Sequence, residues 1–346
     1  MNAKKILTTL LQVAVTSFLL WMLFHDPVKR HQMREALSVA HLGWLLPGFL
    51  SFGVVLLLSA LRWFLLMRAQ NITLPFSRVY QLSLIGMFFN LCLPGGVGGD
   101  FVKVFFAMRE APKSKSAVLL SIVVDRATGM FALILISAGI FLHFYSQLMA
   151  LPIIRPFLFT VGFIFAAFLG LVVSGILIDR LKLASKLPSK MPGYAAIMDI
   201  ARAFSVYARS WGSVAAAVAL SVALNVFFFA SAIFASFAFS GNPGASAMIS
   251  VVPIVNTISA LPISVAGVGV RESLFSVMLH SLYGTPKELA VLISLTGFSL
   301  IVAWGLLGGI VYLIYRPANA SEAFTDTSLI AQTEGQIEAE ELSSSA

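Results

Sequence analysis

Two apolar stretches of this chain are interrupted by proline and glycine, and ionisable side chains follow each interruption. The first interruption, at residues 93–99, contains Pro94, Gly95, Gly96, Gly98 and Gly99. The second, at residues 261–269, contains Pro262, Gly267 and Gly269. Glycine allows backbone conformations and close approaches that other residues do not. We therefore interpret both interruptions as turns between half-helices, and we call them the first and the second elbow.

Each elbow precedes side chains that can bind an anion. Asp100 and Lys103 follow the first elbow, and Arg271 and Glu272 follow the second. A helix N-terminus presents free N–H groups and a positive dipole end, which favour phosphate or carboxylate. Asp100 is also suited to cap the half-helix that starts there. We expect the two helix ends, with Lys103 and Arg271, to form one cationic pocket at the middle of the membrane. The alternative is that the glycines only permit tight helix packing.

Three further charged residues, Arg62, Asp125 and Arg126, fall within apolar runs. A charge deep in a bilayer costs roughly 2.5–3.5 kcal/mol on insertion scales, so it needs a partner, water or a function. Arg62 lies near the end of its run, and it either snorkels to the interface beside an anchoring Trp63 or lies at the mouth of a cavity. Asp125 and Arg126 diverge by about 100° on a helix, so each needs a partner on another element. Both structural ion pairs and direct contact with substrate remain open for these two.

The composition is that of an integral membrane protein. The mean hydropathy is +0.93, and 11% of residues are charged, against roughly 25% in soluble domains. The single cysteine, Cys92, excludes an intrachain disulfide framework. Apolar runs long enough to cross about 30 Å of hydrocarbon recur throughout the chain. The predicted spans are residues 6–24, 43–66, 117–143, 153–178, 212–239 and 288–315.

Two broken segments lie between these spans, at residues 79–108 and 246–284. Each is either one interrupted span or a re-entrant pair of half-helices that enters and leaves on one side. Loop charges barely separate the alternatives. Re-entrant segments with a cytoplasmic N-terminus place 14 basic residues inside and five outside, whereas spanning segments with the N-terminus outside give 13 and six. The re-entrant version makes the halves, residues 1–146 and 147–316, inverted copies, as in many transporters. We predict an all-α membrane fold with six spans, two re-entrant or broken hairpins and an inverted repeat.

The charge is divided unevenly along the chain. Residues 1–316 hold 23 basic and nine acidic residues, giving +14, whereas residues 317–346 hold six acidic residues and no Lys or Arg. We therefore predict a single membrane domain over residues 1–316 and a disordered acidic tail over residues 317–346. A basic membrane body suits anionic lipid headgroups rather than nucleic acid.

The motifs of common catalytic sites are missing from the sequence. The first elbow lacks the Gly-Lys-Ser/Thr ending of a nucleotide loop. The five histidines are scattered, and neither a serine nucleophile elbow nor a pair of catalytic carboxylates can be found. We expect no enzyme activity, no cofactor and no metal.

The assembled motifs resemble the lysylphosphatidylglycerol synthase transmembrane region, whose members are also called flippase-like membrane proteins. The resemblance covers most of residues 5–316 and rests on Ser59–Trp63, Asn90–Asp100, Asp125-Arg126 and Leu261–Glu272. It implies a lipid-translocating domain of the bacterial inner membrane. In bifunctional members this domain flips aminoacylated phosphatidylglycerol made by a fused synthase. Nothing after Arg316 could form that synthase, so we expect no transfer of lysine from tRNA.

The leading hypothesis is a multi-pass transporter with cytoplasmic termini that moves an anionic or glycosylated lipid headgroup. Relatives without the synthase are linked to glycolipid, polyprenyl-phosphate or hopanoid pathways, so the lipid stays open among these and anionic phospholipids. Arg62, Lys103, Arg126 and Arg271 would attract the headgroup, and Asp100, Asp125 and Glu272 would hold those cations. The alternative is a non-transporting accessory subunit of a lipid-modifying or envelope-biosynthesis enzyme.

Overall fold

The computed structural model describes residues 40–92, 98–151, 210–259 and 269–315, together with scattered residues at 34–38 and 154–209. Every regular element within these ranges is helical. The eight main helices are α1 (Leu45–Ala69), α2 (Phe76–Cys92), α3 (Gly98–Glu110), α4 (Lys115–His143), α5 (Trp211–Phe237), α6 (Gly244–Ser259), α7 (Val270–Tyr283) and α8 (Lys287–Ile314). The all-α prediction is confirmed for the described part of the chain.

Within the described part of the chain, four helices are long enough to cross a membrane. These are α1, α4, α5 and α8, which have 25 to 29 residues and are strongly apolar. They correspond to four of the six predicted spans. The predicted span at residues 6–24 and the acidic tail at 317–346 lie outside the described residues, and the span at 153–178 is described only at scattered positions.

The two broken segments form helical hairpins. In the first hairpin α2 packs against α3, and in the second α6 packs against α7. These four helices have 13 to 17 residues and are therefore about 20–26 Å long, shorter than the hydrocarbon core of roughly 30 Å. This length favours the re-entrant alternative. The elbow residues 93–97 and 261–268 lie outside the described part of the chain.

The two halves repeat the same arrangement in opposite directions. Helices α1–α4 and α5–α8 both follow the order long, short, short, long, and α2 packs against α8 as α6 packs against α4. Helices α1 and α5 run antiparallel: Ser51, early in α1, donates to the carbonyl of Phe227, beyond the middle of α5, at 2.8 Å. At the other end, Tyr207, just before α5, donates to the carbonyl of Leu66, near the end of α1, at 2.8 Å. The relation between the halves is therefore an inversion.

Glycines allow the hairpin arms to approach their neighbours closely. A Cβ on Gly308 of α8 would overlap the carbonyl oxygen of Leu84 in α2, and a Cβ on Gly305 would overlap the Leu91 side chain. Close approach through small residues is a common way to pack helices where lipid supplies no hydrophobic driving force. The α2 arm of the first hairpin is thereby held against α8.

Candidate functional site

A cavity of about 430 Å³ lies among α1, α2, α3, α4 and α5, and we call it the first cavity. Five of the seven ionisable residues singled out in the sequence line it: Arg62, Asp100, Lys103, Asp125 and Arg126. They come from three different helices and are brought together by packing of the first hairpin between the spans.

Arg62 is held in the interior by a carboxylate and a hydroxyl. Its Nε and Nη2 donate to the two carboxylate oxygens of Asp125 at 2.7 and 3.0 Å, and its Nη1 donates to Ser221 Oγ at 2.8 Å. Only 6% of Arg62 is exposed. Gly129 on α4 leaves room for the guanidinium, because a Cβ there would lie 2.8 Å from Nη1. The snorkelling alternative for Arg62 is therefore wrong.

Trp63 lies in the interior and does not anchor the protein at the interface. Its side chain is fully buried, and its indole N–H donates to Ser121 Oγ at 3.0 Å. The reason is that α1 continues to Ala69, which places Trp63 beneath α3 and α4. Its ring face is covered by Lys103, whose Nζ lies 4.3 Å from the ring centroid.

The partners of Asp125 and Arg126 lie on different elements, as their adjacent positions predict. Asp125 binds Arg62 of α1, whereas Arg126 forms an ion pair with Asp100 at the start of α3. The expected cap by Asp100 is replaced by another residue: Asn90 Oδ1, at the end of α2, accepts from the Gly99 N–H at 2.9 Å. The Asn90 amide therefore links the end of α2 to the start of α3, and the Asp100 carboxylate binds Arg126 instead.

Lys103 is the cation of the first cavity that has no carboxylate partner among the described residues. It is 8% exposed, and its ammonium group rests on the Trp63 ring. Two carboxylates and three cations line the cavity, and the ion pairs neutralise Arg62 and Arg126. The described lining therefore carries a net charge of about +1, located at Lys103.

The second hairpin has its own, much smaller cavity of about 30 Å³, lined by Asn256, Arg271 and Ser294 among others. Arg271 Nη2 donates to Glu272 Oε1 at 2.7 Å, and its guanidinium lies 4.5 Å from the Phe298 ring centroid. Glu272 is fully buried and accepts from the Gly269 N–H at 2.6 Å and from Ser294 Oγ at 3.0 Å. This pair is neutral.

The expectation of one pocket shared by Lys103 and Arg271 is wrong for the described structure. The two residues line different cavities, and the cavities meet at three apolar side chains that line both: Phe52, Phe228 and Ile301. The rings of Phe52 and Phe228 lie 6.1 Å apart. Lys103 and Arg271 therefore lie on opposite sides of this apolar partition, to which α1, α5 and α8 each contribute one side chain.

Of the elbow residues, the structure describes those that begin the returning helices. Gly98 and Gly99 are buried at the start of α3, and Gly269 caps α7 with φ of +85°, a conformation that glycine adopts readily. The remaining candidates lie outside the described residues: Pro94, Gly95, Gly96, Pro262 and Gly267.

Sequence reasoning missed the uncharged polar residues around the ions. Ser221, which binds Arg62, and Asn225, which lines the first cavity, are on α5 and face the same side four residues apart. Their only sequence signal is a polar residue within an otherwise apolar span. Among the described residues no group of three or more His, Cys, Asp or Glu side chains is placed to hold a metal ion.

Comparison with known proteins gives the family. The model of the lysylphosphatidylglycerol synthase TM region matches residues 9–309. The chain is also similar to the UPF0104 membrane protein PH1989 of Pyrococcus horikoshii, with 28% identity over 142 residues that cover 40% of this chain and 41% of the relative. No solved structure matches it. Since the family match includes both hairpins and every residue of the first cavity, the chain belongs to the lysylphosphatidylglycerol synthase transmembrane-region family.

Proposed function

We propose that this protein is a flippase-like transporter of the bacterial inner membrane that moves an anionic or glycosylated lipid headgroup between leaflets. The observation that supports this most is the first cavity, where three cations line a space of about 430 Å³ among membrane-spanning helices. Substrate contacts are assigned to the cations and to the elbows, and the acidic residues hold the cations in place. Both termini are assigned to the cytoplasm.

The depth of the charged groups supports transport rather than surface binding. Asp125 lies ten residues after the start of α4, which places it about 15 Å along that helix. This is about half of the hydrocarbon thickness. Keeping ionised groups at that depth is costly, and in membrane proteins such groups mark substrate and ion pathways.

The unequal cavities suggest how a headgroup would cross. The first cavity is large and the second is small, and Phe52, Phe228 and Ile301 separate them. Inverted halves can exchange their conformations, so that one cavity closes as the other opens around a central site. In this proposal the headgroup passes from the first cavity to the second when the apolar partition opens, while the lipid chains stay in the bilayer.

The direct test is reconstitution of the purified protein in vesicles that contain phosphatidylglycerol carrying a fluorescent headgroup. Dithionite added outside bleaches only the outer leaflet, so a transporter raises the bleached fraction from about one half towards completeness. The variant Phe228→Trp enlarges a residue of the apolar partition and should slow the bleaching of lipid that starts in the inner leaflet. Phe227→Trp is the matched control, because Phe227 is 39% exposed on the same helix and does not line either cavity.

If vesicles that contain the wild-type protein lose only one half of their fluorescence, transport is contradicted. If the wild-type protein also co-purifies with a lipid-modifying enzyme from the membrane, the accessory-subunit alternative is favoured. Equal slowing by Phe227→Trp and Phe228→Trp would contradict the assignment of the partition while leaving transport intact.

A further inference from the structure

We propose that the first cavity selects a lipid whose headgroup carries a single net negative phosphate, bound at Lys103, with the lipid chains leaving sideways between α3 and α4. This inference rests on the proposed lipid transport and narrows its substrate class. It excludes uncharged glycolipids as preferred ligands.

The charge balance leaves one cation to be matched by a ligand. Arg62 and Arg126 are each paired with a carboxylate, and Lys103 forms no ion pair with a described residue. The nearby elbow cannot supply a partner, because residues 93–97 contain no acidic side chain. A phosphodiester with one charge would neutralise the lining of this cavity, whereas an uncharged headgroup would leave the excess charge buried.

Lys103 is positioned so that its ammonium faces the cavity. Its methylene stem passes over Gly86 of α2, where an added Cβ would lie 2.6 Å from Lys103 Cγ. The ammonium then rests on the Trp63 ring, which attracts it without neutralising its charge. This arrangement keeps a nine-tenths buried cation in place while leaving the N–H donors that point away from the ring available to phosphate oxygens.

The surface beside the first cavity suits a ligand that is partly apolar. On α4, Arg126 lies between Val123 and Met130 on one helix face, and all three are substantially exposed. On the facing arm, Phe101 is 72% and Phe105 is 52% exposed. Arg126 and Met130 also line the cavity, so this exposed face of α4 borders it directly. A lipid chain can cover such a rim, whereas a free phosphate ion gains nothing from it.

The test compares lipid retention by native mass spectrometry of the protein released from micelles. The probes are phosphatidylglycerol, with one negative charge, and phosphatidylcholine, with none. The variant Lys103→Met keeps most of the apolar stem and removes the charge. It should weaken phosphatidylglycerol binding by about 10- to 100-fold, because one charge-assisted hydrogen bond is lost. Phosphatidylcholine binding should not change. Lys115→Met, at the exposed start of α4, is the control and should change neither.

A second measurement uses the unmodified chain and so does not depend on a variant that folds. Reductive methylation of lysines, read by peptide mass spectrometry, should be slowed at Lys103 by phosphatidylglycerol and not by phosphatidylcholine. If glycerol phosphate protects Lys103 as well as the lipid does, the ligand is a free anion and the lipid assignment is overturned.

Equal binding of both lipids by the wild-type protein, or full retention of phosphatidylglycerol by Lys103→Met, would overturn the inference. These outcomes are separate from failure of the proposed function. A protein that moves all headgroups equally in the vesicle assay is still a transporter, but Lys103 does not select its substrate.

Discussion

Replacing Asp125 by Asn tests whether the ion pair at the centre of the site holds the helices together. The pair is almost fully buried, with 7% of the Arg62 side chain and 5% of the Asp125 side chain exposed. Asn keeps one acceptor oxygen but removes the charge that balances Arg62. Breaking a buried ion pair from one side typically costs about 3–5 kcal/mol, because the other charge stays buried and unpaired.

We expect a loss near the lower end of this range, about 3 kcal/mol, for two structural reasons. The Asn oxygen can still accept one of the two guanidinium hydrogen bonds, and the Ser221 hydroxyl remains as a further acceptor. The first cavity also adjoins the pair, so water can reach part of the guanidinium. The free energy of unfolding is measured by denaturant titration in micelles, followed by tryptophan fluorescence.

The controls separate a charge effect from general disruption. Glu288→Gln removes a carboxylate from the first turn of α8, where a negative charge stabilises a helix by roughly 0.3–1 kcal/mol through its dipole. The variant should lower the free energy of unfolding by no more than that. The double variant Arg62→Met with Asp125→Asn should be more stable than Asp125→Asn alone, because no unpaired charge remains. A loss below about 1 kcal/mol for Asp125→Asn, or strictly additive losses in the double variant, would refute this reasoning.

Two further predictions concern the hairpins. Gly99→Ala places a Cβ against the Gly86 carbonyl oxygen and should cost about 1–3 kcal/mol of unfolding free energy. The control Gly139→Ala adds a Cβ in open space on α4 and should be neutral or slightly stabilising. Equal effects of the two variants would show that α2 and α3 can separate without cost. Glu272→Gln leaves the Arg271 charge unbalanced beside a fully buried site and should lower the free energy of unfolding by about 3 kcal/mol in the same titration. An unchanged midpoint for Glu272→Gln would mean that the second cavity is hydrated and solvates Arg271.

The sequence by itself determined the class of fold and the identity of the charged residues that matter. Apolar runs of sufficient length predict spans because every backbone polar group in lipid must be satisfied within a helix. Asp125 and Arg126 stood out because ionised groups at that depth require partners, and both partners are present in the structure. The breaks predicted two hairpins because glycine and proline disrupt helices at defined positions.

Only the tertiary structure decided which charges meet and which remain unmatched. The Arg62–Asp125 pair joins residues 63 positions apart, and no local pattern could have selected Asp125 over Asp100 as the partner. The division into two cavities depends on how closely α1 and α5 pack, which is set by side-chain shape across the helix interface. Lys103 became the unpaired cation because packing placed both carboxylates on the two arginines and set its ammonium on Trp63. Helical periodicity is a local property of the chain, whereas charge pairing and cavity shape arise from contacts between distant segments.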